Sequence, residues 1–194
     1  MNFLSHLFLS GDSEGLIIGN FIADAVKGSN FKKYPGEIQK GILLHRKIDA
    51  YTDSHYIVEQ SKERLRNKYK KYAGVIIDIY YDHYLAANWL NYSNEKLTDY
   101  SQRLYKLIQE NHLILPYNSA RFTKYMIQYN ILEAYSKLEG IERVLKGMAN
   151  RTTFESNMEH AIHDLIEHYP LFENEFKLFF PELQNYVTNE ISDH

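Results

Sequence analysis

The stretch Gly41-Ile42-Leu43-Leu44-His45-Arg46-Lys47-Ile48-Asp49-Ala50-Tyr51-Thr52-Asp53 decides how this chain is read. His45, Asp49 and Asp53 recur at four-residue intervals, a spacing that stacks side chains along one stripe of a helix. Continued backwards, the stripe runs through Ile42 and Ile38, both apolar. A helix that turns this side inward carries an imidazole and carboxylates into the interior. Burying such groups is costly unless they are paired or bound to a metal. An interior metal site is therefore expected.

Helical periodicity extends outward from this segment. Prolines occur only at 35, 116, 170 and 181, and no long run alternates with period two, so the fold class is all-α. The spacing predicts helices over 2–10 and 13–27, with Gly28 as a stop, and a third opening at Pro35. Gly15, Gly19 and Ala23 share one face of the second helix and invite a close neighbour. A charged helix over 57–71 and an apolar one over 74–91 follow, and Ser93 or Asn94 caps the next, reaching 111. Further helices are expected over 119–136, then from Gly140 to 147–150, and from a Thr152/Glu155 capping box to Tyr169. Pro170 and Pro181 punctuate the C-terminal segment, with fraying beyond Val187.

With 194 residues, no visible linker and no internal repeat, the chain reads as a single domain over 1–194 with a sizeable core. Tyrosine, at 17 residues against one Trp, can line that core while keeping a polar end available. A net charge of −3 argues against a dedicated nucleic-acid binder. The absence of cysteine excludes disulfides, iron–sulfur clusters and thiolate zinc, and fits a reducing compartment. The N-terminus has no basic residue before Lys27, and the apolar stretch 73–90 carries Asp78, Asp82 and His83, so neither a signal peptide nor a membrane span is expected. A cytoplasmic location follows as the expectation.

The four-residue pairing recurs as Asn2/His6, Asn20/Asp24, His45/Asp49, Asp78/Asp82 and Asp164/His168. Polar pairs on inward faces of separate helices are how helical bundles build metal sites. Imidazole with carboxylate, without thiolate, suits Mn, Fe, Zn or Mg. A divalent ion relieves carboxylate repulsion, activates water and polarises a phosphoryl oxygen, so hydrolysis of phosphate esters is the leading chemistry. A second feature is the basic run 62–71, with Lys62, Arg64, Arg66, Lys68, Lys70 and Lys71, which is either a solvated helix face or a docking patch for an acidic partner. Arg46 and Arg151 are candidate phosphate clamps or ordinary surface arginines. His55, at a helix end, is read as a cap, and His112, His160 and His194 as surface or loop residues.

These segments together resemble the acyl carrier protein phosphodiesterase family. The likeness runs from Met1-Asn2-Phe3-Leu4-Ser5-His6-Leu7 through Gly19-Asn20-Phe21-Ile22-Ala23-Asp24. It continues in the opening stretch, in Asp78 to Leu85 with Asp82-His83, in Gly147-Met148-Ala149-Asn150-Arg151, and in Asp164 with His168-Tyr169. Phe8 stands where members often carry a second histidine, and Asp82-His83 reverses the His-Asp order that names the HD phosphohydrolases. The resemblance implies an HD-like helical fold and a manganese-dependent release of 4′-phosphopantetheine from holo-acyl carrier protein. That substrate is an acidic protein, which the basic run could meet.

The resulting expectation places His6, Asp24, His45, Asp78, Asp82 and His83 around the metal. Asp49 would orient His45 or move a proton, and Arg46 would stabilise phosphoryl charge. No nucleic-acid or membrane partner is expected. Two other readings stay open: an HD-like hydrolase of a small nucleotide or other phosphodiester, and a non-enzymatic helical binding protein whose buried ion pairs set its packing.

Overall fold

The structure, a computed structural model, describes residues 1–192; His194 and any fraying at the last two positions lie outside the described residues. Among the described residues the chain is all-helical, with α1 (Phe3–Leu9), α2 (Glu14–Ile22), α3 (Gly36–Ser54), α4 (Tyr56–Tyr69), α5 (Ala73–Ala87), α6 (Leu97–Glu110), α7 (Tyr117–Gln128), α8 (Ile131–Ala134), α9 (Leu138–Ala149), α10 (Ala161–Glu167) and α11 (Tyr169–Ser192). Short 3-10 turns join several of them.

The core is built on α5. Ile76, Ile77, Ile79, Tyr80, Tyr81, Tyr84 and Leu85 are all fully buried, so the helix is enclosed on every side. That explains its run of apolar residues without a membrane, and no described helix is long and apolar enough to cross one. α11 supplies Phe172, Phe176, Phe179 and Phe180 to the same core. Tyr80 meets Phe172 edge-on at 5.2 Å, and Tyr81 meets Phe176 at 5.6 Å. Two of the buried tyrosines of α5 keep their polar ends satisfied: Tyr81 pairs with the Ser61 hydroxyl at 2.8 Å, and Tyr84 donates to the Tyr169 carbonyl at 2.8 Å.

α2 and α3 form the closest helix pair, and glycine is the reason. A Cβ built on Gly19 would lie 2.8 Å from the Gly41 Cα, and one on Gly41 would lie 2.9 Å from the Gly19 Cα. The small face read from Gly15 and Gly19 thus brings two backbones together one residue from Asn20 and four from His45.

Several expected boundaries move. Helix 13–27 ends at Ile22 and passes into a 3-10 turn, while Gly28 takes the left-handed φ of +54°. Ser93 does not cap α6, which starts after Lys96; its hydroxyl accepts from the Glu95 amide instead. The helix expected over 119–136 breaks at Asn130, which has a φ of +45°. Gly140 lies inside α9 because the backbone of Ala134 presses against it. The Thr152/Glu155 capping box is absent: the Thr152 hydroxyl donates to the Ala149 and Phe154 carbonyls, and helix resumes only at Ala161. α11 runs through Pro181 and past Val187, because Val187 is buried and Tyr186 stacks on Tyr51 at 4.4 Å. His55 closes α3, its amide donating to the Thr52 carbonyl at 3.2 Å, and its Nδ1 accepts from the Ile57 amide and so also opens α4.

Candidate metal centre

Three helices bring the site together. α1 is started by Asn2, whose side chain accepts from the Phe3 amide, and one turn later presents His6 inward. α2 presents Asn20, and α3 presents His45 and Asp49. His6 and His45 are buried, and Asp49 is half-buried. A ligating atom from each of His6, His45 and Asp49 lies within 4.8 Å of the others.

The hydrogen bonds set the orientation of His45. The Asn20 Nδ2 donates to the His6 carbonyl and to the Ser10 hydroxyl, both at 2.9 Å. Its Oδ1 must therefore be the atom that faces His45 Nδ1, at 2.8 Å, and it accepts the N–H there. In the neutral ring this leaves the Nε2 lone pair pointing at Asp49 Oδ2, 3.2 Å away, and Asp24 Oδ1, 3.5 Å away. The other Asp49 oxygen meets His6 Nε2 at 3.1 Å, and His6 Nδ1 is buried without a partner.

The charges are tightly coupled. Burial disfavours the His45 cation, but hydrogen bonds to Asp24 and Asp49 outweigh it and raise the pKa to about 9. Burial and the neighbouring His45 push His6 down to about 4, against the bond to Asp49. Asp49 is held well below the carboxylate range: burial opposes ionisation, but the two imidazoles prevail. Asp24 is lowered chiefly by its bond to His45.

A cavity of about 300 Å³ opens beside the trio, walled by Asp24, Asp49, Asp53 and Asp78 with Thr52, Phe3, Met148 and the Met1 terminus, and among the described residues no Lys or Arg side chain lines it. Such a concentration of acid with imidazole lone pairs fits a divalent cation. The Nε2 direction that Asn20 imposes on His45 makes the same case, since ligating histidines are held by partners of this type, and the buried His6 Nδ1 is left without a partner.

Of the residues singled out beforehand, His6, His45 and Asp49 converge, and Asp24 stands at the rim. Asp78 also lines the cavity, but its carboxylate receives the Met1 ammonium at 2.8 Å; burial raises its pKa, and the ammonium opposes that. Asp82 and His83 stand apart from this cluster, with other partners. Asp82 is fully buried and accepts from the Leu4 amide at 2.8 Å, the Ser5 amide at 3.1 Å and the Ser5 hydroxyl. It caps the first turn of α1 from a distance, with burial raising its pKa to about 6 against those bonds. His83 has both nitrogens engaged, by the Tyr135 carbonyl at 2.7 Å and the Tyr169 hydroxyl at 2.9 Å.

Arg46 likewise stands apart from the cluster. Its Nη2 donates to the Val26 and Gly28 carbonyls, both at 2.9 Å, and it faces a different cavity with Leu16, Lys40 and Tyr186. Asp164 serves Lys68 and the Tyr69 hydroxyl. Four cations of the basic run have acidic partners: Lys62 pairs with Glu59, Arg64 with Glu175, Arg66 with Glu59 and Glu63, and Lys68 with Asp164. Lys71 lies 4.6 Å from the Phe154 ring centroid, and Lys70 has a φ of +51°. Asn20 was paired with Asp24 in the sequence yet left off the site; its position directly after Gly19, at the tightest helix contact, was the available signal. Thr52, whose buried hydroxyl is unpartnered at the cavity wall, left no comparable signal.

Comparison with known proteins bears on this geometry. The family model described as acyl carrier protein phosphodiesterase matches residues 1–183. Relatives bearing that name include one from Klebsiella pneumoniae (strain 342), 33% identical over 193 residues that cover 98% of this chain and 99% of that protein. Another, from Enterobacter sp. (strain 638), is 32% identical over 194 residues, with 98% and 99% covered. A third, from Yersinia pestis, is 33% identical over 187 residues, with 94% and 95% covered. No solved structure matches the chain.

Proposed function

The chain belongs to the acyl carrier protein phosphodiesterase family, and from that premise we propose that it hydrolyses the phosphodiester joining 4′-phosphopantetheine to the serine of holo-acyl carrier protein. The observation that carries the reading is the convergence of His6, His45 and Asp49 beside a carboxylate-walled cavity. Family membership sets aside the non-enzymatic reading.

We assign His6, His45 and Asp49 as the residues that hold a divalent cation, manganese being our choice, with Asp24 as the group nearest to join them. Such an ion supplies Lewis acidity and an acidified water at neutral pH. The chain's own residues then do three things. Asn20 holds the His45 ring with Nε2 toward the cavity, and burial keeps His6 neutral, the form in which imidazole ligates. Asp49 stays ionised at every working pH. Thr52 offers a desolvated hydroxyl that can donate to a phosphate oxygen. Four aspartates on the wall support dependence on a cation, because a bound phosphodiester would otherwise meet a predominance of carboxylates, with the Met1 ammonium already committed to Asp78. An HD-like relationship is part of the proposal, supported by histidine and aspartate drawn from separate helices into one cluster.

Incubating chelator-treated protein with holo-acyl carrier protein, with and without added manganese, tests the reading by mass. Loss of the phosphopantetheine arm only with metal is the expected result; an unchanged carrier under both conditions would refute it.

A further inference from the structure

Arg64 and Lys68 are committed to Glu175 and Asp164, and a separate set of exposed cations stands on and beside α7. α7 turns Tyr117, Arg121 and Lys124 outward at four- and three-residue spacing, all three exposed. Arg151, just past α9, lies across the same helix with its guanidinium 5.8 Å from the Phe122 ring centroid and 5.6 Å from that of Tyr125. Among the described residues Arg121, Lys124 and Arg151 make no ion pair.

Arg121 and Arg151, with Asn118, Phe122 and Tyr125, line a surface cavity of about 420 Å³. Its wall is continuous with that of the metal centre. Phe122 stacks on Phe3 at 4.5 Å and 24°, and Phe3 lines the catalytic cavity. α9 makes a second link, placing Met148 in the catalytic wall and Arg151 three residues on in this one.

We propose that Arg121, Lys124 and Arg151 form the docking surface for an acidic face of the protein substrate, with Tyr117 as an exposed apolar anchor; the proposal rests on the phosphodiesterase reading above. A cavity of about 300 Å³ is far too small to take in a protein, so a protein substrate must be held by surface that borders it. The chain itself has a net charge of −3, and a local positive field is needed to bring an acidic molecule to it. Arginine suits the task because its planar fork receives carboxylates in pairs, and Arg151 is already ordered against two rings.

The test uses the full chain with manganese, holo-acyl carrier protein and, in parallel, bis(p-nitrophenyl) phosphate. The double variant Arg121→Glu/Arg151→Glu should raise KM for the carrier by about tenfold or more, with kcat far less affected, because rim charges act mainly on encounter. Labelled carrier should show the same loss by fluorescence anisotropy. Arg121→Gln/Arg151→Gln, which removes the charge without reversing it, should lie between it and wild type, and Lys106→Glu on α6 should match wild type. A KM for the charge-reversed protein equal to that of wild type would overturn the proposal. So would an equal loss on the small diester, which would make the cavity a phosphate site, or a larger loss from Lys70→Glu/Lys71→Glu. A wild-type protein that neither binds nor cleaves the carrier would bring down the phosphodiesterase reading itself, and this inference with it.

Discussion

The imidazole rings of His6 and His45 stack face to face, with centroids 3.9 Å apart and planes 17° from parallel, and Asp49 spans the Nε2 atoms of both. Two cationic rings cannot share that spacing cheaply: Asp24 and Asp49 raise the pKa of His45, and burial together with the His45 charge lowers that of His6. The carboxylate between them gathers three groups from α1 and α3 into one chelating unit.

Removing any of the three should empty the site. His45→Ala, His6→Ala and Asp49→Asn are each expected to abolish stoichiometric manganese binding, read by metal analysis after dialysis, and to cut turnover by at least about a hundredfold. Retained stoichiometry in His45→Ala would remove it from the ligand set.

Asn20 acts through His45. Asn20→Leu leaves the ring free to rotate and should lower metal affinity by about 10–100-fold, the usual range for lost support of a ligating histidine. Titration calorimetry measures this, and wild-type affinity in the variant would show that the ring needs no such anchor.

Asp82 should prove structural. Asp82→Ala leaves the Leu4 and Ser5 amides unpaired in the interior and should cost about 1–3 kcal/mol in urea unfolding. Saturating manganese should still be bound at wild-type stoichiometry, whereas a ligand role would eliminate it.

Gly19→Ala forces a methyl group against the backbone of α3. A destabilisation of about 1–3 kcal/mol is expected, with weaker metal binding, because the contact that seats Asn20 against His45 has been wedged apart.

In chelator-treated protein the two histidines set opposite pH limits. The pKa of His45 is raised, so its contribution to stability is complete below pH 6.5 and is lost as pH rises through about 9. That of His6 is depressed, so its contribution is complete above 6.5 and is lost as pH falls through about 4. Thermal melts across pH 4–9 should therefore peak near pH 6.5, and the alkaline decline should vanish in His45→Gln. A monotonic rise to pH 9 would contradict this.

The sequence alone determined the helical class, the inward stripe carrying His45 and Asp49, and the close approach allowed by Gly15 and Gly19, because each rests on spacing along a single helix. It also carried the family, through motifs kept in order along the chain. Only the tertiary structure decided which of the recurring four-residue pairs share a site. Asp78/Asp82 obeys the same spacing as His45/Asp49, yet Asp82 turns to cap α1 and His83 to bind the Tyr135 carbonyl. Charge in the sequence was equally silent about pairing: Arg64 and Lys68 read as a basic patch until α11 and α10 bring Glu175 and Asp164 against them. Spacing fixes the face on which a side chain stands, but its partner comes from another element, and that choice is made by packing.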